Sequence, residues 1–212
     1  MRWFQFRRAR QGASAEGYPT LQTERLVLRS FDLSDTVDVY AYAHSPLVGP
    51  MAGWSPHNSL EESRQVVQHF MHSGDVWAIV EKKTGRVIGS IGLHADIKRE
   101  VENARMLGYA LGEAHWGQGY ATEAANAVLR FAFEEVGCPL VSAYHFPKNA
   151  KSKRVIKKLG FTAEGTLRMA TTLPDGVVSD EVCYSLTREE YQARAAKAQA
   201  KAGDAGAQSG NA

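Results

Sequence analysis

One segment of this chain, residues 107–123, combines an apolar run, a glycine-rich turn and the start of an amphipathic helix. The apolar run ends at Leu111, and a helical apolar pattern resumes at Ala124. Between them, Gly117 and Gly119 carry no side chain that would hold a ligand away from the backbone. The first amides of a helix lack carbonyl partners within it and lie at the positive end of its dipole. The turn therefore predicts a phosphate site.

Two nucleotide-binding interpretations of this turn are excluded by its residues. A P-loop ends in Gly-Lys-Ser/Thr, and this turn has neither the lysine nor the hydroxyl that follows it. The dinucleotide fingerprint needs a third glycine and opens a βαβ unit, whereas this strand lies in the middle of the chain. A flexible strand-to-helix corner without any ligand is the remaining alternative.

Four motifs, in order along the chain, resemble the GNAT superfamily of N-acetyltransferases and its RimJ/RimL-like branch of ribosomal-protein N-terminal acetyltransferases. Trp116-Gly-Gln-Gly-Tyr-Ala121 resembles the acetyl-CoA pyrophosphate loop, except at its first position. Thr23-Glu-Arg-Leu-Val-Leu-Arg29 is similar to the opening strand of that branch, and Val87-Ile-Gly-Ser-Ile-Gly-Leu93 to its central hairpin. Asn149-Ala-Lys-Ser-Lys-Arg-Val-Ile-Lys-Lys-Leu-Gly-Phe161 is similar to its Asn-x-x-Ser helix. The resemblance runs from about residue 21 to about residue 191.

The resemblance implies the GNAT fold, an α/β (α+β) architecture with a central, mixed, mostly antiparallel twisted sheet flanked by helices. Two of its strands splay apart where acetyl-CoA binds, and here they would be the strand ending at Leu111 and the strand beginning at Leu140. The residue pattern alone predicts a strand at 21–29, a helix with Ser34 as its N-cap and a loop over 44–58. A capping box, Ser59 to Glu62, opens the next helix. Further strands are predicted at 76–81, 86–93, 104–111, 140–145, 162–172 and 177–186, and further helices at about 120–135 and 149–159.

Length and composition suit one globular domain: 212 residues, of which 44% are hydrophobic. The domain is predicted at residues 21–192, after a basic and aromatic extension at 1–20. An Ala/Lys/Gln/Gly tail at 193–212 is predicted to be a helix that frays into disorder. The extension is interpreted as loosely ordered or packed on a neighbouring subunit, with contact to a membrane surface or RNA as the alternative.

Charge and cysteine content restrict the partners and the cellular compartment that we expect for this protein. The 25 basic and 23 acidic residues are nearly balanced, so bulk charge does not favour a nucleic-acid partner. No apolar run approaches the roughly 20 residues of a membrane span, and no signal-peptide apolar core is present. Cys138 and Cys183 have no metal-ligand spacing and are expected to be buried thiols in a reducing compartment. We therefore expect a cytoplasmic protein without a metal, and leave homodimerisation open.

Because of the resemblance, the cofactor site is expected to use mainly backbone groups. The backbone near Tyr109, Ala110 and Leu111 would position the thioester of acetyl-CoA. The N–H groups of the glycine turn would hold the pyrophosphate, and the residues concerned are Trp116, Gly117, Gln118, Gly119, Tyr120, Ala121 and Thr122.

The later helix adds two candidates. Asn149 is either an ordinary helix N-cap or a direct cofactor contact, and both roles are compatible in one residue. Ser152 lies three positions on, in the first turn of the same helix. In relatives with Asn-x-x-Ser this serine lies near the cofactor sulfur, which makes Ser152 a candidate proton donor to the thiolate. A solvated serine on the helix surface is the alternative.

Acetyl transfer to an amine requires a neutral amine, correct alignment and a stabilised thiolate. Many GNAT proteins have a tyrosine as general acid where this chain has Ile156, and a glutamate where it has Met106. The base must therefore come from elsewhere, or the amine must arrive deprotonated. The candidates are His94, Asp96, Glu164, Asp180 and Glu181. His94 is selected because imidazole titrates near neutral pH, with a hydrogen-bonded histidine at a strand end as the alternative.

Together these features predict an acetyl-CoA-dependent N-acetyltransferase that works by direct attack of a primary amine in a ternary complex. The acceptor would be a protein N-terminus or a small amine. Two other functions remain open. One is a non-catalytic acyl-CoA-binding sensor, which the missing tyrosine and glutamate favour. The other is a ribosome- or RNA-associated protein that uses the basic segment at residues 2–10.

Overall fold

A mixed sheet of eight strands organises the computed structural model, which describes residues 17–208. The strands are β1 (Leu21–Gln22), β2 (Leu26–Arg29), β3 (Val76–Glu81), β4 (Val87–Ala95), β5 (Arg105–Leu111), β6 (Leu140–His145), β7 (Thr162–Thr172) and β8 (Val178–Thr187). The helices are α1 (Thr36–Ala43), α2 (Gly49–Ala52), α3 (Leu60–Ser73), α4 (Tyr120–Arg130), α5 (Ala150–Lys158) and α6 (Arg188–Gln208). Short 3₁₀ turns precede α1 and α4, and α4 continues as a π-helical turn, Phe131–Glu135.

The strand order is β1-β2-β3-β4-β5-β6-β8-β7. Neighbouring strands are antiparallel except β5 and β6, which are parallel. This confirms the mixed, mostly antiparallel α/β fold expected from the sequence. The parallel pair lies inside the sheet, with β4 on one side and β8 on the other.

Helices cover the two faces of the sheet with separate hydrophobic cores. The α4 core holds α4 and α5 against the sheet, and Leu129, Ile156 and Leu159 are among its fully buried side chains. The α3 core holds α1 and α3 against the opposite face, through residues such as Val39 and Val67. The isoleucine at position 156 is therefore a core residue, with none of its surface exposed.

Two local predictions were wrong. Residues 21–29 form two antiparallel strands, because the chain reverses at residues 23–25, where the Thr23 amide donates to the Leu26 carbonyl. Asp32 is the N-cap of the 3₁₀ turn Leu33–Asp35 that leads into α1: its carboxylate accepts from the Ser34 amide, while the Asp35 side chain accepts from the Asp32 amide. An aspartate two residues earlier thus takes the capping role assigned to Ser34.

Other elements refine the predictions. The loop at 44–58 contains α2, which tolerates Pro50 because the first turn of a helix needs no N–H there. Ser59 caps α3 by accepting from the Glu62 amide, while Glu62 accepts from the Asn58 amide and not from Ser59. The prediction for the tail remains untested, although α6 is helical as far as Gln208.

The remaining features of the fold are the chain ends and the two cysteines. The basic segment at residues 2–10 lies outside the described residues, as do residues 209–212. Tyr18, which was assigned to the extension, stacks on Trp77 with ring centroids 4.6 Å apart. Cys138 is buried and Cys183 is half-buried, both as free thiols. Within residues 17–208, no helix is both long enough and apolar enough to cross a membrane.

The burial of Ile156 predicts a large stability effect at the position where many relatives carry tyrosine. Ile156→Ala should lower the free energy of unfolding by about 2–5 kcal/mol and Ile156→Val by about 0.5–1.5 kcal/mol, because each leaves a cavity. Urea unfolding measures both. The neighbouring exposed Lys157→Ala should stay within about 0.5 kcal/mol of the parent. Equal losses for Ile156→Ala and Lys157→Ala would contradict the packing described here.

Candidate active site

A slot opens in the sheet where β5 and β6 separate. In the described residues their ladder has two register pairs, Arg105 with Val141 and Met106 with Ser142. Beyond Met106, β5 continues to Leu111 in register with β4, and β6 continues to His145 in register with β8. The splay predicted between these strands is therefore present. Backbone groups of residues 108–111 border it, including the predicted positions Tyr109, Ala110 and Leu111.

The glycine turn lies between the end of β5 and the start of α4. Gly117 and Gly119 both have left-handed backbone conformations, with φ of 76° and 86°. Gly119 is the N-cap of α4, and this cap makes no side-chain hydrogen bond to the helix. A Cβ added to Gly117 would meet no atom within 4 Å. The turn is thus an open cradle at a helix N-terminus, which fits a phosphate group.

The two aromatic side chains that flank this turn bond inward, whereas residues 117–119 between them are exposed. The Trp116 indole donates to the Leu111 carbonyl (2.8 Å), and the Tyr120 hydroxyl donates to Glu81 (2.5 Å). The Gln118 amide, predicted to add to the phosphate site, donates instead to the Ala114 carbonyl (2.7 Å). Ala121 and Thr122 follow in the first turn of α4 and are half-buried.

A carboxylate in the first turn of α4 anchors the turn to the reversal between β1 and β2. Glu123 accepts from the Thr23 hydroxyl (2.6 Å), the Arg25 amide (2.8 Å) and the Arg25 Nε (2.7 Å). Arg25 also donates to the Gln118 carbonyl (3.0 Å) and lies over the Tyr120 ring, 4.4 Å from its centroid. Burial raises the pKa of Glu123, but these hydrogen bonds outweigh burial and hold that pKa below its usual value.

The start of α5 lies on the other side of the slot. The Asn149 side chain accepts from the Ser152 amide (3.0 Å) and donates to the Met51 carbonyl (2.9 Å), so it caps α5 and ties that helix to α2. The capping role of Asn149 is thereby confirmed. Ser152 is half-buried, and its Oγ lies 3.0 Å from the hydroxyl of Tyr109 on β5.

His94 lies near the closed end of the slot. Its Nδ1 is 2.6 Å from the Asp75 carboxylate. Its ring lies against Gly92 and Gly108, which are register partners on β4 and β5, and a Cβ on Gly92 would overlap the ring. Burial raises the pKa of Asp75, but the hydrogen bond and charge of His94 hold it below its usual value. Two glycines and a carboxylate therefore fix the orientation of this imidazole.

The four acidic alternatives are all engaged in other contacts. Asp96 is buried and accepts from the Ser142 hydroxyl (2.6 Å) and the Tyr144 hydroxyl (2.9 Å). Asp180 accepts from the Met169 amide. The remaining two form ion pairs, Glu164 with Arg99 and Glu181 with Lys98. Each of these four carboxylates is therefore held by partners of its own, and His94 is retained as the candidate base.

His94 and Ser152 lie on opposite faces of the sheet. Neighbouring residues of a strand point to opposite faces, so Gly108 and Tyr109 belong to different ones. Tyr109 packs against the α4 core and reaches Ser152 on α5. His94 lies against Gly108 and therefore on the face of the α3 core. The slot is bordered by the imidazole on one face and by the serine hydroxyl on the other.

Comparison with known proteins shows which family this chain belongs to. The model of the acetyltransferase (GNAT) domain family matches residues 25–162, which include β2, the glycine turn and α5. The chain belongs to the GNAT acetyltransferase family. It is an acetyltransferase, and acetyl-CoA is the cosubstrate of this family. The match also confirms the GNAT family resemblance drawn from the four sequence motifs.

Individual relatives agree with that assignment. The chain is 30% identical to an uncharacterised N-acetyltransferase, p20, of Bacillus licheniformis over 178 residues, which is 81% of this chain and 98% of that protein. The structure of a GNAT-family acetyltransferase from Bacillus anthracis has a TM-score of 0.73 at 24% identity, over 81% of this chain and 100% of that one. The ribosomal-protein-S5-alanine acetyltransferase of Vibrio fischeri has a TM-score of 0.69 at 22% identity, over 82% of this chain and 98% of that one. The last two likenesses concern the fold alone.

Several contacts of this GNAT site could not be read from the sequence. The partner of His94 is Asp75, which lies 19 residues earlier at the start of β3. Glu123 and Thr23 belong to motifs that were recognised separately, but nothing in either motif indicated that they bond to each other. The Tyr109 hydroxyl was also missed, because only the backbone of that residue was assigned a role.

The lowered pKa of Glu123 predicts a pH-dependent contribution to stability. Glu123→Gln should lower the free energy of unfolding at pH 7 by roughly 1–3 kcal/mol, because it replaces a charged acceptor in a half-buried site. A carboxylate with a depressed native pKa stabilises above its unfolded pKa of about 4.3, and the benefit disappears as pH falls through the native value.

Urea unfolding of parent and variant between pH 7 and pH 3 measures this difference, which should narrow toward acid. Glu24→Gln makes the same charge change at an exposed neighbouring position and should leave stability at pH 7 nearly unchanged. A gap between parent and Glu123→Gln that is independent of pH would show that the Glu123 carboxylate is not the anchor.

Proposed function

We propose that this protein transfers an acetyl group from acetyl-CoA to a primary amine by direct attack in a ternary complex. The observation that carries the proposal is the open glycine cradle at the N-terminus of α4, directly beside a slot with Ser152 on one face and His94 on the other. Acetyl-CoA supplies an activated acyl group as a thioester. The backbone from Trp116 to Thr122 binds its pyrophosphate, and β5 residues 109–111 align its pantetheine arm in the slot.

Proton acceptance and stabilisation of the leaving thiolate take place on different faces of the slot. His94, oriented by Asp75, accepts a proton from the amine on the face of the α3 core. Ser152, held at the start of α5 by Asn149, donates a hydrogen bond or a proton to the leaving thiolate on the face of the α4 core. This division lets the acceptor and the cofactor approach from opposite sides without competing for space.

A protein N-terminus is the acceptor that we propose to test first, within the RimJ/RimL-like branch. The preference comes from the Trp-Gly-x-Gly-Tyr-Ala-Thr-Glu form of the glycine turn, which that branch uses. Small amines are the second class of acceptor. A panel of peptides with free N-termini beside small amines, followed by thiol release, distinguishes the two.

Acetyl-CoA binding should depend on the glycine cradle. Calorimetric titration of the parent should give saturable binding of acetyl-CoA and desulfo-CoA, and no binding of ATP. Gly117→Ala should weaken acetyl-CoA binding roughly tenfold or more, because it places a methyl group in the open space of the cradle, where an added Cβ meets no protein atom within 4 Å. Gly176→Ala is a matched control, since Gly176 in the β7–β8 hairpin has φ of 84° and is also open.

Each of these two glycine substitutions should destabilise the fold by about 1–2 kcal/mol, because alanine disfavours the left-handed conformation. Only the change at position 117 should affect the ligand. If the parent binds no acetyl-CoA, the glycine turn is a structural corner and the proposed activity fails.

The two candidate catalytic side chains should affect turnover far more than binding. His94→Gln should lower kcat roughly 100-fold or more, because it removes the proton acceptor, and Ser152→Ala should lower kcat by a similar factor, because the thiolate loses its hydrogen-bond donor. Acetyl-CoA affinity by calorimetry should change less than about threefold in both variants, since the cradle is untouched. Turnover equal to that of the parent would remove the role of the residue concerned. Tight binding by the parent without turnover of any amine would instead favour the acyl-CoA sensor.

A further inference from the structure

The side-chain hydroxyls of Tyr109 and Ser152 form a hydroxyl pair across the slot. Tyr109 lies on β5, three residues beyond the last register pair with β6. Ser152 lies on α5, which follows β6 in the chain. The two oxygens are 3.0 Å apart, which is hydrogen-bond distance. The pair therefore joins the two sides of the slot on the face that carries α4 and α5.

The surroundings of Ser152 restrict its hydroxyl. Its amide donates to the Asn149 side chain, and Asn149 is itself bonded to the Met51 carbonyl, so the first turn of α5 is held at both ends. A serine hydroxyl has one hydrogen to donate and two lone pairs that accept. If the Tyr109 hydroxyl donates to one lone pair, the serine hydrogen must point away from Tyr109.

The surroundings of Tyr109 favour that direction of donation. Burial raises the pKa of Tyr109 to about 12, so the phenol keeps its hydrogen at neutral pH. The Ser152 carbonyl is the other oxygen within reach, but it lies at the longer distance of 3.4 Å. The Tyr109 ring packs against the α4 core, which fixes where its hydroxyl can lie.

Building on the proposed function, we propose that Tyr109 is a positioning residue that donates to Ser152 Oγ and turns the Ser152 hydrogen toward the sulfur of CoA. The pair then stabilises negative charge on that sulfur when the thiolate leaves. Both hydroxyls keep their hydrogens, and the thiolate acquires its proton from solvent after transfer. In this arrangement a tyrosine on β5 acts on the leaving group through Ser152 on α5. Many relatives instead carry a tyrosine on α5 itself, at the position of Ile156.

The proposal can be tested without turnover, by comparing affinities for CoA and desulfo-CoA, which lacks the sulfur. At a pH above the pKa of the CoA thiol, where that thiol is largely ionised, the parent should bind CoA about tenfold more tightly than desulfo-CoA. Tyr109→Phe and Ser152→Ala should each remove most of this preference. The double variant should lose no more than Ser152→Ala alone, because the two hydroxyls act as one unit.

Kinetics and a matched control complete the experiment. Tyr109→Phe should lower kcat roughly tenfold while KM for acetyl-CoA stays within about twofold, as expected when only transition-state stabilisation is lost. Tyr191→Phe removes the hydroxyl of another half-buried tyrosine, which donates to Glu134 (2.6 Å) in the π-helical turn after α4, and should change neither kcat nor the CoA preference. Urea unfolding of each variant checks that the fold is retained.

The outcomes separate this inference from the proposed function. If Ser152→Ala loses the CoA preference and Tyr109→Phe keeps it, the positioning role of Tyr109 is overturned and the proposed function stands. If both variants keep the preference, the hydroxyl pair does not face the sulfur, and the inference is again wrong. If the parent binds neither CoA nor desulfo-CoA, the proposed function fails and the inference fails with it. If Tyr109→Phe does not fold, the CoA preference of Ser152→Ala in the folded protein still decides whether the pair faces the sulfur.

Discussion

The early end of the β5–β6 ladder is the constraint on which the rest of this structure depends. Two register pairs are enough to keep the sheet continuous, and beyond Met106 each strand retains its antiparallel neighbour. The sheet therefore stays intact while its middle opens. Backbone amides and carbonyls that border such a slot require partners, from water or from a ligand with amide groups of its own. This requirement makes the slot a natural place for the pantetheine arm of the family's cosubstrate.

The second constraint is electrostatic and lies at the edge of the slot. The carboxylate of Glu123 is desolvated, and its cost is offset because the Thr23 hydroxyl, the Arg25 amide and the Arg25 guanidinium all donate to it. These contacts hold the first turn of α4 against the β1–β2 reversal. The glycine cradle can then remain free of side-chain caps without losing its position. Stability at one end of α4 supports ligand binding at the same end.

Placement of the proposed proton groups follows from strand alternation. His94 and Tyr109 belong to neighbouring strands but to opposite faces, and each is oriented by one partner, Asp75 or Ser152. Gly92 and Gly108 leave the space in which the imidazole lies flat on the sheet. A side chain larger than hydrogen at position 92 would displace the ring, so this glycine serves the site and not a turn. Asp96 lies near the same strands, but its carboxylate accepts hydrogen bonds from Ser142 and Tyr144.

Much of the secondary structure of this protein could be predicted from local sequence patterns. Apolar spacing, glycines and the Ser59 cap were sufficient to predict most strands and helices, including β3, β6 and β7 at their observed bounds. These features depend on neighbours in the chain, so a sequence contains them directly. The phosphate site at the glycine turn stays a prediction. The cap predicted at Ser34 was wrong because the Asp32 carboxylate takes that role, and the single strand predicted at 21–29 was wrong because the chain reverses at residues 23–25. The partnerships of Glu123 with Thr23, His94 with Asp75 and Tyr109 with Ser152 join residues 19 to 100 positions apart. Only the tertiary structure decided them, because hydrogen-bond distances across a folded sheet leave no periodic trace in the chain.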